Sequence, residues 1–191
     1  MKRMIALHLI AALLGLAVAA PSDIAAPAVR LTILGDNAVA RTGVKAVWGF
    51  ACLVETRGRT VLFDTGANPV VLKDNLAALK VDPTRIEAVV ISHYHGDHTW
   101  GAAGLGRLAN VPVYIPRSFD GHPTEVISLQ SAGLVLVPVS AATQLFDGIG
   151  VSEPMRFAGS IPLNKTGQGF ADDSWEQCLT VDTPDGLVVL V

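Results

Sequence analysis

The chain has 191 residues, half of them hydrophobic and 16% charged, with a formal charge of -3. That is enough apolar material for one well-buried domain, and it excludes a disordered chain. The mild acidity, with no basic stripe along the sequence, argues against the phosphate-tracking groove that a nucleic-acid partner needs, so a small-molecule substrate is expected.

At the start, Lys2 and Arg3 precede an apolar run from Met4 to Val18 that closes on the small residues Ala17-Val18-Ala19, the layout of a signal peptide. Residues 1–19 are expected to be removed and residues 20–191 to form the domain, exported to the periplasm or beyond the cell. The run is too short and wrongly flanked for a stable membrane span, an uncleaved anchor being the alternative. Cleavage would remove two cations and leave a more acidic domain. His8 falls inside this leader and is set aside as a ligand.

Val29 to Leu34 reads as a strand, followed by a polar loop from Gly35 to Gly43. Trp48 to Glu55 and Thr60 to Asp64 read as strands joined by a hairpin turn at Thr56-Arg57-Gly58-Arg59. Such loops often shape a pocket, but Arg41 and Trp48 are taken as ordinary surface and core residues. Asn68 before Pro69 is a cap and first-turn pair for a helix that runs toward Val81-Asp82-Pro83, with Val70, Val71, Leu76 and Leu79 giving it an apolar face. Ile86 to Ile91 is a nearly continuous apolar strand, as expected where both faces of a sheet are covered.

That strand runs into Ser92-His93-Tyr94-His95-Gly96-Asp97-His98, where three histidines and an aspartate fall within six positions. Neutral imidazoles and a carboxylate suit zinc, with manganese and iron as alternatives. His93 and His95, two apart in extended chain, project to one side. After Gly96, Asp97 and His98 are free to turn toward a second position, so the loop can serve two adjacent divalent ions. Such a pair polarises a substrate oxygen and lowers the pKa of a shared water, which makes hydrolysis the expected chemistry, with Asp97 as the catalytic residue among the ligands. A helix cap is the competing role for Asp97.

The sequence His93-Tyr94-His95-Gly96-Asp97-His98, behind Ala88-Val89-Val90-Ile91-Ser92 and after Val61-Leu62-Phe63-Asp64-Thr65-Gly66, resembles the metallo-beta-lactamase superfamily. The resemblance implies an α/β fold, a four-layer αββα sandwich whose second half is incomplete here, with the metal centre at the sheet edges. It also implies His93 and His95 on the first metal, Asp97 and His98 on the second, and Asp64 behind them steadying the loop.

A glycine-rich helix is expected from Thr99 to Leu108, capped by Asp97 or Thr99, then a strand from Pro112 to Ile115. His122 sits in a turn-rich loop before Pro123 and is read as a surface or substrate-loop residue rather than a ligand. Thr124 to Ala132 reads as a helix and Leu134 to Val137 as a strand. Phe146 to Phe170 reads as long loop and edge strand, where substrate contacts often lie. Cys178 to Asp182 and Leu187 to Val191 are strands about a turn at Pro184-Asp185-Gly186. Cys52 and Cys178 each lie in an apolar run, where a buried thiol is the ordinary reading, although an oxidising compartment would permit them to pair.

Val111-Pro112-Val113-Tyr114 and Glu176-Gln177 resemble landmarks of the branch of that superfamily containing 7,8-dihydropterin-6-methyl-4-(ribofuranosyl)aminobenzene 5'-phosphate synthase. In that branch a further metal histidine follows a strand like Gly186 to Val191, so the chain reads as the front part of a longer protein. Export does not suit a pterin-pathway enzyme, and the expectation is an exported metallohydrolase of another substrate. A beta-lactamase or lactonase and a non-catalytic metal-binding module are the alternatives.

Overall fold

The computed structural model describes residues 29–191, apart from 40, 107, 109, 120, 157–158, 163–168 and 173–174. The leader expected at residues 1–19, with His8 in it, lies outside the described residues. No helix among those described is long and apolar enough to cross a membrane.

Sheet one is built from β1 (Arg30–Gly35), β2 (Ala51–Thr56), β3 (Arg59–Phe63), β4 (Ala88–Val90), β5 (Pro112–Pro116) and β6 (Val135–Val139), side by side in chain order. β1, β2 and β3 pair antiparallel, and β3 through β6 run parallel. The β2–β3 turn has Arg57 at φ 52° and Gly58 at φ 74°, positive at both central residues as a type I′ hairpin requires. Strand β2 begins three residues later than expected: Trp48 to Phe50 belong to the preceding loop.

Helix α1 (Pro69–Ala78) starts where Asn68 Oδ1 accepts from the Val70 and Val71 amides at 2.9 and 3.1 Å. Its buried face is Leu72, Asn75 and Leu76, at the i, i+3, i+4 spacing of a helix stripe, and Val70 points to solvent. Asn75, fully buried, is paid for by three hydrogen bonds: its Nδ2 donates to the carbonyls of Leu34 and Lys45, and its Oδ1 accepts from the Lys45 amide. The helix thereby holds the loop that follows β1.

The expected helix from Thr99 begins earlier and is broken in two: α2 (Gly96–Thr99) is a single turn, continued by a 3-10 segment over Trp100–Leu105. His95 stands at the cap position of α2 and Thr99 at that of the 3-10 segment, neither with a side-chain cap bond, and Asp97 caps neither. Close packing accounts for the tightening. A Cβ on Gly101 would collide with the Thr65 carbonyl, and one on Gly104 with that of Pro69, so this segment lies directly against the β3–α1 connection. Helix α3 (Pro123–Ser131) completes the outer layer, and His122 is its cap residue.

Sheet two is antiparallel: β7 (Thr143–Phe146), β8 (Ile149–Val151), β13 (Leu179–Thr183) and β14 (Gly186–Leu190), in the order β14-β13-β8-β7. Two small ribbons lie between β8 and β13 in sequence, β9 (Met155–Arg156) with β12 (Trp175–Glu176) and β10 (Gly159–Pro162) with β11 (Gly169–Asp172). The stretch from Phe146 onward thus holds more paired strand than its glycine and proline content indicates.

Alternation along the strands separates two cores. Leu34, Leu53, Leu62 and Val89 face the helices, whereas Cys52, Val54, Val61, Phe63, Ala88 and Val90 face Ile149, Val151, Leu179 and Val181 of sheet two. Helices, sheet one and sheet two form three successive layers of the expected sandwich among the described residues. Cys52 and Cys178 are both buried and unpaired, and burial raises the Cys52 thiol to about 11.

Candidate metal centre

Strands β3 and β4 are parallel neighbours, so the loops leaving their carboxyl ends meet. Asp64 follows β3 with φ 54°, a left-handed conformation that a short polar side chain tolerates best after glycine. Its amide donates to the Val90 carbonyl at 2.9 Å. The turn this creates sends its carboxylate beneath the histidine loop, where it is 1% exposed.

Asp64 Oδ1 accepts from the Ser92 amide, and Oδ2 accepts from the Ser92 hydroxyl, each at 2.7 Å. His98 Nδ1 lies 2.7 Å from the same Oδ2. Ser92 has one hydroxyl proton and gives it to Asp64, so its oxygen accepts from His93 Nδ1, 2.9 Å away. These bonds occupy Nδ1 of both rings and turn Nε2 of His93 and His98 outward; for the neutral His93 that Nε2 is a lone pair, the form a metal ligand needs.

His93 Nε2 lies 3.0 Å from His95 Nδ1. A His95 Nδ1–H donated to the neutral His93 satisfies that pair, and a cation would take the proton's place. Two nitrogens bound tetrahedrally to one zinc at about 2.0–2.1 Å sit roughly 3.3 Å apart, so the spacing suits a shared ion. His98 Nε2 faces Asp97 Oδ2 at 3.6 Å, and the His93 and His98 rings are 4.2 Å apart. The structure therefore groups the four residues as two adjoining pairs, with no set of three or more such donors arranged as a ready cage among the described residues. As a donor set, neutral imidazoles with a carboxylate fit divalent transition ions.

Electrostatics keep His93 neutral and draw a proton to the Asp64–His98 pair. Burial, then the charges of His98 and His95, pull His93 down to about 3, so it is neutral at physiological pH. Burial raises the Asp64 carboxyl despite its bonds to His98 and Ser92. For His98, burial opposes the imidazolium, but the hydrogen bond and charge of Asp64, with Asp97 and Glu176, outweigh it and raise the pKa. The buried Asp64–His98 pair therefore retains a proton firmly.

The loop backbone is equally tied. Thr65 donates through both its amide and its hydroxyl to the His98 carbonyl, at 2.8 and 2.9 Å, and the Gly101 amide donates to the Gly66 carbonyl at 2.7 Å. From the link between β12 and β13, Gln177 donates its amide to the Ser92 carbonyl and its Nε2 to the carbonyls of Ile91 and Tyr114. Gln177 thus crosslinks the ends of β4 and β5 beneath the loop. Ser92, Thr65 and Gln177 carry no sequence signal of these roles, because each depends on a partner far along the chain.

His122 stacks on Tyr94, ring centroids 3.7 Å apart, and Tyr94 in turn meets His95 edge-on at 4.6 Å. It buttresses the loop from α3. Trp48, read from sequence as surface or core, is 72% exposed and donates its indole N–H to Asp97 Oδ2 at 2.7 Å. A cavity of about 360 Å³ beside β7, β8 and β13 includes no residue of the histidine loop in its lining.

The family model described as the metallo-beta-lactamase superfamily matches residues 49–176, two thirds of the chain and all of this loop. Among curated proteins, a ribonuclease Z of Bacillus cereus (strain B4264) is 43% identical over 104 residues, covering 44% of this chain and 33% of its own length. The chain spans about a third of the length of such relatives. Among solved structures, Zn(2+)-bound PqqB from Methylobacterium extorquens superposes with a TM-score of 0.56 at 14% identity, covering 83% of this chain and 63% of that one. AiiA of B. thuringiensis, with N-decanoyl-L-homoserine at its active site, superposes at 0.54 with 14% identity, covering 84% and 73%. At these identities the structural likeness speaks for the fold.

Proposed function

The chain belongs to the metallo-beta-lactamase superfamily, and from that premise we propose that it is an exported metal-dependent hydrolase of a small-molecule substrate, working at a binuclear site. His93 and His95 hold the first ion, Asp97 and His98 the second. Divalent ions bound there, zinc foremost, supply Lewis acidity and an activated water at neutral pH.

The observation that carries this reading is the Asp64–Ser92 network, which occupies Nδ1 of His93 and His98 and leaves both Nε2 atoms beside His95 and Asp97. A merely structural histidine cluster has no need to aim its Nε2 atoms together. Asp64 and Ser92 hold the rings in place, so little ordering remains to be done when an ion or substrate arrives. Export rests on Lys2, Arg3 and the run ending at Ala17-Val18-Ala19.

The ribonuclease Z relatives raise RNA as a second substrate class. The charge distribution favours the first. Arg30, Arg41, Lys80 and Arg85 line a cavity of about 350 Å³ at the opposite end of sheet one, beside the amino end of β3 rather than the histidines, and the whole chain is acidic. Among the described residues, this cluster of cations lies away from where a scissile phosphodiester at the histidine loop would sit.

Elemental analysis of purified, zinc-reconstituted full-length protein is expected to give about two ions per chain, and chelation to abolish its hydrolysis across a panel of lactone, beta-lactam and RNA substrates, with residues 1–191 alone expected to be poorly active. Less than about one ion per chain would sink the binuclear reading. The turnover pattern across the panel separates the substrate classes.

A further inference from the structure

Trp48 combines an exposed side chain with a fixed backbone. The loop between β1 and β2 is anchored before it, where the Val47 amide donates to the Asp36 carbonyl and Lys45 is held on both sides by Asn75. It is anchored after it, where the Gly66 amide donates to the Phe50 carbonyl at 2.8 Å. Between these anchors Gly49, at φ +90°, packs so tightly on Asp97 that a Cβ would collide with the Asp97 carbonyl. The loop is docked on this one residue of the histidine motif.

Burial does not explain the ring, since 72% of the residue faces solvent. Its one polar atom is aimed at a single oxygen, Asp97 Oδ2, at 2.7 Å, the short distance of a hydrogen bond to a charged acceptor. A carboxylate oxygen has two lone pairs, and the indole uses one of them. The other, with both of Oδ1, stays available beside His98 Nε2, which lies 3.6 Å from Oδ2.

We propose that Trp48 is a positioning residue for Asp97: its indole N–H, delivered by the docked Trp48-Gly49 loop, fixes the carboxylate rotamer so that Asp97 and His98 meet one divalent cation. The proposal rests on the binuclear reading above. It differs from a surface role for the tryptophan in making one ion, and not both, depend on a single N–H.

Trp48→Phe keeps the ring and deletes the N–H, and the exposed site makes it tolerable to the fold. Titrating the metal-free variant with zinc against a chromogenic chelator is expected to show one ion bound as in wild type and the other weakened about 10- to 100-fold, the usual loss when a ligand's hydrogen-bond partner is removed. Trp48 fluorescence in the wild type is expected to change as that weaker site fills. Without metal, the Trp48 indole N–H is expected to be protected from exchange, and to lose that protection in Asp97→Ala. Gly49→Ala, which forces the loop off Asp97 with the indole intact, is expected to reproduce the selective loss. A Trp48→Phe protein that binds two ions with wild-type affinities overturns the proposal while leaving the binuclear reading standing. A wild type that binds no second ion overturns both.

Discussion

The two ends of sheet one use the same side-chain chemistry in opposite surroundings. At the amino end of β3, Arg59 meets Glu87 at 2.6 Å with the arginine exposed and the glutamate partly so, and Glu87 also accepts from the Thr60 amide. At the carboxyl end, Asp64 makes bonds of nearly the same length to Ser92 and His98 with its own carboxylate buried. Distance does not separate the two sites; solvent does. An exposed pair gains little because water would serve each partner almost as well, whereas a buried group left without its partner bears the full desolvation cost. The ring orientations of the histidines are therefore set by the buried end, and the exposed end is free to vary.

The sharpest way to break this contrast is Asp64→Ala. It strands the Ser92 amide, the Ser92 hydroxyl and His98 Nδ1 together, and it places alanine at a positive φ. A loss of about 3 kcal/mol in denaturant unfolding is expected. Because burial raises the Asp64 carboxyl, the charge itself is not what stabilises. Asp64→Asn, which tolerates the left-handed backbone and keeps an acceptor, should cost clearly less. A stability for Asp64→Ala within about 0.5 kcal/mol of wild type would mean that the network is dispensable.

Asp97→Asn tests the rim between the two extremes. Asp97 is half-buried and bonded to an exposed indole, so stability is expected to fall by less than about 1 kcal/mol. Removing the charge should cost the second ion and the hydrolytic rate instead. Unchanged metal content with near-normal activity would reassign Asp97 to a structural part.

Smallest of all is Glu87→Gln, which removes the charge of the exposed pair but keeps an acceptor for Thr60. We expect about 0.5 kcal/mol or less by thermal unfolding, shrinking further in salt. A loss rivalling that of Asp64→Ala would erase the distinction between the ends.

Local chemistry made much of this molecule legible from its residues. Asn68-Pro69 set the start of α1, Arg57-Gly58 the hairpin, and the unbroken apolar run before Ser92 a strand covered on both faces. The spacing of His93, His95, Asp97 and His98 marked them as candidate donors, because ligand type and separation are written in consecutive positions. Where the periodicity was weak the reading slipped. The buried face of α1 turned out to be Leu72-Asn75-Leu76, and the glycine-rich segment after the motif tightened into a 3-10 turn because neighbouring backbone, not its own propensity, fixed its path.

What the tertiary structure alone decided is how those donors are held. Asp64 and Ser92 are 28 residues apart, Trp48 and Asp97 are 49 apart, and Gln177 reaches back 86 residues to Ile91. No local pattern records such pairs, since each partner is an ordinary residue in its own stretch. They meet only because parallel pairing of β3 with β4 brings two loop ends together and the link between β12 and β13 lays Gln177 beneath them. Sequence specified the chemistry of the loop; the sheet edges specified which donor atoms face the same point, because orientation is a property of contacts and not of composition.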